Sequence, residues 1–140
     1  LNANASQIPR ALDDGDGNLL PIMQSDIQLQ KENSILIIDA KYYSRTTQMR
    51  FDKYTIRSNN LYQIFTYVKN REYQFDKSKY TVSGMLLYAK TDEQIQPDNI
   101  YQIHGNQISV RTLDLDRSFD EIAGQLDSIV LFHFGKIQKK

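Results

Sequence analysis

Asp39 and Lys41 stand two positions apart at the end of an apolar run, Ile35-Leu36-Ile37-Ile38-Asp39-Ala40-Lys41-Tyr42-Tyr43. Four apolar residues in succession predict a strand buried on both faces. Side chains alternate along a strand, so Asp39 and Lys41 point to one side and Ala40 to the other. A charge at the edge of a core must meet an opposite charge, a metal or water. A structural ion pair at a strand end is the plain outcome. A second acid, Asp26, widens the chemistry. Two carboxylates beside an ammonium suit a hard divalent ion, Mg²⁺ or Mn²⁺. The lysine can orient or help deprotonate a water, or stabilise charge on a phosphate. A phosphodiester is the substrate class that fits this set.

The surrounding elements must bring these residues together. Ile22–Leu29 reads as a strand, with Ile27 and Leu29 alternating against Gln28 and Gln30. Lys31-Glu32-Asn33-Ser34 then reads as a polar turn, and the apolar strand follows. An antiparallel hairpin of this kind pairs residues whose numbers sum to about 65, setting Asp26 against Asp39 to within a residue. Residues 44–57 are charged and aperiodic, and are expected to be a loop. Ser58-Asn59-Asn60 offer cap chemistry to a helix over Leu61–Asn70, with Leu61, Ile64, Phe65 and Val68 as its core stripe. Gln63 and Tyr67 lie four apart beside that stripe, one above the other, where a partly exposed flank is the ordinary expectation. Arg71–Lys79 links this helix to a second buried strand, Tyr80–Lys90. Strand–helix–strand order predicts a parallel crossover, which returns the helix near Asp39 and Lys41. Thr91–Asp98 reads as a loop, and Ile100–His104 and Gln107–Leu113 as a hairpin about Gly105-Asn106. Ser118-Phe119-Asp120-Glu121 is a capping box for a helix presenting Phe119, Ile122, Ala123, Leu126, Ile129 and Val130 to the sheet.

Composition bounds the reading. A chain of 140 residues and 16.3 kDa makes one α/β domain with a substantial core. It has no cysteine, so disulfides and thiolate metal sites are excluded. His104 and His133 are not spaced as a ligand pair. Mean hydropathy is −0.56, no apolar run approaches the ~18 residues of a membrane span, and no signal-peptide pattern is present, so a cytoplasmic protein is expected. The chain begins at Leu1 rather than Met, and a fragment of a longer protein is expected. Residues 1–20 are polar and expected to be flexible. Asp13-Asp14-Gly15-Asp16-Gly17-Asn18 echoes a calcium loop but lacks the required bidentate Glu. Formal net charge is zero, yet residues 41–80 hold nine bases against three acids, leaving that segment at +6 and the remainder at −6. Such a segment suits a phosphate-facing side, with Arg45, Arg50 and Lys53 as candidate DNA contacts; an ordinary solvated face is the alternative.

Ser25-Asp26 followed by Asp39-Ala40-Lys41 after an apolar strand resembles the PD-(D/E)xK nuclease signature. Gln63-Ile64-Phe65-Thr66-Tyr67 resembles the Gln-x-x-x-Tyr motif of its RecB-like branch. Ile38–Tyr42, Leu61-Tyr62-Gln63, Gly84–Tyr88 and the tail Ile108–Leu115 are similar to the nuclease subunit of modified-cytosine restriction systems, the McrC family. The likeness extends over residues 20–130. It implies a restriction-endonuclease-like mixed sheet flanked by helices. It also implies metal-dependent DNA cleavage and an McrB-like GTPase partner subunit. Carried over by position, Asp26 and Asp39 become metal ligands, Lys41 the catalytic lysine, and Gln63 and Tyr67 supporting residues. Two departures stand out. Ser25 occupies the place of the usual proline, and no Glu precedes Glu32, so the superfamily's upstream acid is expected outside this chain. A relative that binds nucleic acid without cutting, and an interaction domain in which Asp39–Lys41 is only a salt bridge, are the competing classes.

Overall fold

The computed structural model describes residues 2–4, 7–8, 23–24, 27–42, 47–50, 53–76, 78–94 and 96–138. In chain order the elements are β1 (Asn2–Asn4), β2 (Gln7–Ile8), β3 (Met23–Gln24), β4 (Ile27–Lys31), β5 (Ser34–Lys41), β6 (Thr47–Arg50), β7 (Lys53–Ile56), α1 (Ser58–Gln74), β8 (Thr81–Ala89), β9 (Asn99–Ile103), β10 (Asn106–Leu113) and α2 (Phe119–Gln138). Six strands form one mixed sheet in the order β1-β4-β5-β8-β10-β9. The central strands β5, β8 and β10 are parallel, while β4 and β9 pair antiparallel on either side of them.

The two periodicities of β5 build the two halves of the core. Ile35 and Ile37 face α1 and pack with Ile64, Val68, Val82, Leu86, Ile108 and Val110. Leu36 and Ile38 face the other way, toward Met85, Leu87 and Phe134 of α2. A strand buried on both faces between helices is what its continuous apolar run requires. The result is an α/β sheet flanked by helices, consistent with a restriction-endonuclease-like fold. α1 approaches the sheet closely because β8 carries Gly84. A Cβ there would stand 2.8 Å from side-chain carbons of both Ile64 and Val68.

The hairpin of β4 and β5 has the predicted register, with Ile27 opposite Ile38 and Lys31 opposite Ser34. Its turn is only Glu32-Asn33, and Glu32 takes a φ of 54°. Asp26, and with it the predicted approach to Asp39, lies outside the described residues.

Several expectations are corrected. The strand expected over residues 22–29 is divided: Met23-Gln24 pairs with β2 in a separate two-stranded sheet, and the main-sheet strand starts at Ile27. Within the polar N-terminal stretch Asn2–Asn4 forms β1, which pairs with β4 from Asn2–Gln30 to Asn4–Gln28, while residues 9–20 lie outside the described residues. Edge pairing uses backbone groups, so a polar composition conceals it. Residues 44–57 contain the antiparallel pair β6–β7 rather than only loop. Residues 58–60 belong to α1 itself; Arg57 is the N-cap and makes no side-chain cap bond. The helix runs on to Gln74, into the segment expected to be loop. The second hairpin turns at His104-Gly105, with φ of 48° and 84°, not at Gly105-Asn106. Two positive φ values in succession are the demand of a tight two-residue turn. Asn106 is drawn into β10 instead, where its buried Nδ2 donates to Val82 O (3.0 Å) and Glu72 Oε2 (2.7 Å).

Half of the capping box at α2 forms: the Glu121 N–H donates to Ser118 Oγ at 3.2 Å, while the Glu121 carboxylate accepts from the Ser118 hydroxyl at 3.1 Å. The face expected to be buried is not uniformly so. Phe119 is 84% exposed and Leu126 is exposed, whereas Ile129, Val130 and Phe134 meet the sheet. Amphipathic spacing marks an apolar face but not how much of it the sheet is long enough to cover.

Candidate active site

The site forms where β5 leaves the core on the α1 side. Asp39 and Lys41 share that face with Ile35 and Ile37 because all occupy odd positions of one strand. Asp39 lies opposite Leu86 of β8, and Lys41 opposite Tyr88. The carboxylate is buried, with Asp39 only 4% exposed. Lys41 Nζ stands 2.9 Å from Asp39 Oδ2. An isolated carboxylate at this depth would be costly, and the ammonium offsets that cost.

The ammonium is held from above by α1. Lys41 Nζ donates to Gln63 Oε1 at 2.7 Å, and Gln63 Nε2 donates to Tyr67 Oη at 2.8 Å. The direction of this relay follows from donor inventory. A lysine ammonium only donates, so Gln63 must turn its carbonyl oxygen toward Lys41, leaving its NH₂ for the phenol one helical turn away. Tyr67 is buried within the core cluster rather than on an exposed flank, which corrects the sequence expectation for that residue. Its ring packs with the core and its hydroxyl meets the amide, the usual arrangement for a buried tyrosine. Asp39, Lys41, Gln63 and Tyr67 therefore form one connected array across β5 and α1.

The remaining candidates divide differently. Asp26 and Arg45 lie outside the described residues. Arg50 and Lys53 are directly opposite one another in the β6–β7 pair, so the two backbones are adjacent. Sequence reading missed the polar pair one turn below Gln63: buried Asn60 donates through Nδ2 to the hydroxyl of buried Tyr88 at 2.8 Å. A tyrosine closing an apolar strand was the available signal, since a buried phenol requires a polar partner.

Among the described residues no three His, Cys, Asp or Glu side chains cluster as a metal site. Asp39 is nonetheless a suitable first donor. Mg²⁺ retains several waters and commonly takes one or two protein carboxylates together with substrate phosphate oxygens. Asp39 fits such an ion in ligand type, with Asp26 as the second carboxylate that the sequence offers.

Gln63→Ala should lower any activity of this array without unfolding the domain, because Ile64 and Val68 carry the helix's packing. The thermal midpoint and rate per folded molecule check this together. An early melt with an unchanged specific rate would make Gln63 structural.

A family model described as McrBC 5-methylcytosine restriction system component matches residues 11–89. That span takes in β5, α1 and β8, and hence all four residues of the array. The chain is also 30% identical, over 116 residues, to the Type IV methyl-directed restriction enzyme EcoKMcrBC of Escherichia coli (strain K12). The alignment takes in 83% of this chain and 32% of that protein, so the chain spans about a third of its relative's length.

Proposed function

This chain belongs to the McrBC 5-methylcytosine restriction system component family, and we propose that it carries the nuclease site of such a system, cleaving DNA phosphodiesters with a divalent metal. The observation that carries the reading is the buried Asp39 carboxylate joined to Lys41, with Lys41 held in turn by Gln63.

Each residue has a definable task. Asp39, with Asp26, supplies the negative oxygens that would hold Mg²⁺ or Mn²⁺. The ion, when bound, polarises the scissile phosphate and a water beside it. Lys41 gives one N–H to Gln63 and is charge-paired with Asp39 at 2.9 Å. A further N–H would serve a water or a phosphate oxygen, where a fixed ammonium stabilises developing charge. Gln63 holds that ammonium in place, and Tyr67 holds Gln63.

Arg45, Arg50 and Lys53 complete the reading as contacts to the DNA backbone. A GTPase subunit of the McrB type is the proposed partner, because the named relative is a methyl-directed restriction enzyme and restriction confined to modified DNA requires cutting to be gated. Reversing the charge of Arg45, Arg50 and Lys53 together should weaken DNA binding and flatten its salt dependence by roughly three phosphate contacts. Binding isotherms at several salt concentrations measure the slope; an unchanged slope would mean these bases do not meet phosphate.

The function itself is tested by plasmid cutting, using the full-length protein with its partner subunit and modified DNA. Cutting should require Mg²⁺ or Mn²⁺ and stop with EDTA. DNA binding with no cutting under any metal would favour the accessory, non-cleaving reading.

A further inference from the structure

We propose that Asn60 and Tyr88 are positioning residues of this site, setting the height of α1 over the sheet so that Gln63 meets Lys41; this rests on the nuclease reading for its kinetic readout. Besides the tie of Glu72 to Asn106 on β10, α1 makes two polar ties near its start to the adjacent strands β5 and β8. Asn60 donates to Tyr88 on β8, and Gln63 accepts from Lys41 on β5. Tyr88 and Lys41 are directly opposite in the β5–β8 ladder, so both ties act at one level of the sheet. Asn60 and Gln63 are three residues apart, a rise of about 4.5 Å along a helix. One tie therefore constrains the other.

The lower tie is the better anchored. Tyr88 is 0% exposed and Asn60 1% exposed, so neither side chain can exchange its partner for solvent. The upper tie is partly exposed, with the Lys41 side chain at 18%. A long lysine and a glutamine at such a site have rotamers to choose from, and an ordered ammonium needs a fixed acceptor. Apolar packing of Ile64 and Val68 over Gly84 presses the helix down but is non-directional. The Asn60–Tyr88 bond supplies direction. Asn60 stands in the first turn of α1, three residues after the N-cap Arg57, where its side chain faces the sheet. Its Nδ2 donates across to the sheet, to the Tyr88 hydroxyl.

The test uses Tyr88→Phe in the full-length protein with its partner, alone and combined with Gln63→Ala. Tyr88→Phe should lower the maximum cutting rate about 10-fold to 100-fold, as small misplacements near reacting groups do, with DNA affinity unchanged. In the Gln63→Ala background it should cost less than about 2-fold, since residues acting through one another are non-additive. The paired variant Asn60→Leu with Tyr88→Phe removes both ends of this hydrogen bond together, so neither is left buried without the other, and so guards against simple unfolding. It should melt near the wild type and still cut slowly. The side-chain NH₂ resonance of Gln63 in this domain should shift in both variants, which tests positioning even if the protein cuts nothing. A wild-type rate per folded molecule in Tyr88→Phe, the full loss persisting in Gln63→Ala, or an unmoved Gln63 resonance would each overturn the proposal. Absence of cutting by the wild type would instead count against the nuclease reading.

Discussion

Lys41→Ala should reduce DNA cutting by about 10²-fold to 10³-fold, the scale on which removing one preorganised charge-stabilising donor acts. The reason lies in where the ammonium is held. It is tied to Asp39 at 2.9 Å and to Gln63 at 2.7 Å, so it is aimed before substrate arrives. Removing it takes a positive charge away from the Asp39 carboxylate, so a divalent ion should bind at least as well as before. DNA binding should largely survive, because phosphate contacts are spread over many bases and position the duplex without doing chemistry. The expected signature is thus intact metal and DNA binding with lost cleavage. Plasmid cutting per folded molecule, with binding measured alongside, checks it. A wild-type cutting rate would return Asp39 and Lys41 to a structural ion pair.

Among the described glycines, Gly84→Ala should crowd its surroundings most. The new Cβ would stand 2.8 Å from carbons of Ile64 and Val68 and 3.2 Å from Ile108, all fully buried. Overpacking of this kind costs about 1–3 kcal/mol. Lifting of the helix relieves the clash, and Gln63 then lifts with it. The variant should therefore lose both stability and cutting rate per folded molecule. Gly124→Ala is the matching control, since a Cβ there meets nothing within 4 Å and Gly124 lies inside α2. It should gain about 0.5–1 kcal/mol from helix propensity. Denaturant midpoints for the two variants compare these directly; equal midpoints would contradict the close packing of α1 on β8.

What was legible in the sequence followed from period and length. The apolar run at Ile35–Ile38 is long enough to announce a two-face buried strand, and the hairpin arithmetic set its register against β4 correctly. The parallel crossover through α1 was legible because strand–helix–strand order leaves one handed solution. Gln63 and Tyr67 were placed near Asp39 and Lys41 by that crossover, and the hydrogen bonds bear this out. What escaped was decided by tertiary contact or by backbone pairing. Asn60 has the chemistry of a cap and is used as a core donor instead. Asn106 has the chemistry of a turn and is used to join β10 to Glu72 and Val82. β1 and β6 are short and mostly polar, and β7 alternates Tyr54 and Ile56 against Lys53 and Thr55 over only four residues, too few to read. The apolar face of α2 is longer than the surface beneath it, so Phe119 and Leu126 remain exposed.

The central claim is that Asp39 is a metal-holding carboxylate and Lys41 a charge-stabilising ammonium, and these two should fail in opposite ways toward the ion. Calorimetric titration of Mn²⁺ into the full-length protein, and into its Asp39→Asn and Lys41→Ala variants, measures this most directly. Asp39→Asn preserves shape and removes a negative charge, so Mn²⁺ should bind much more weakly or not at all. Lys41→Ala should bind Mn²⁺ as tightly as the wild type or more so. Wild-type Mn²⁺ affinity in Asp39→Asn would contradict the account.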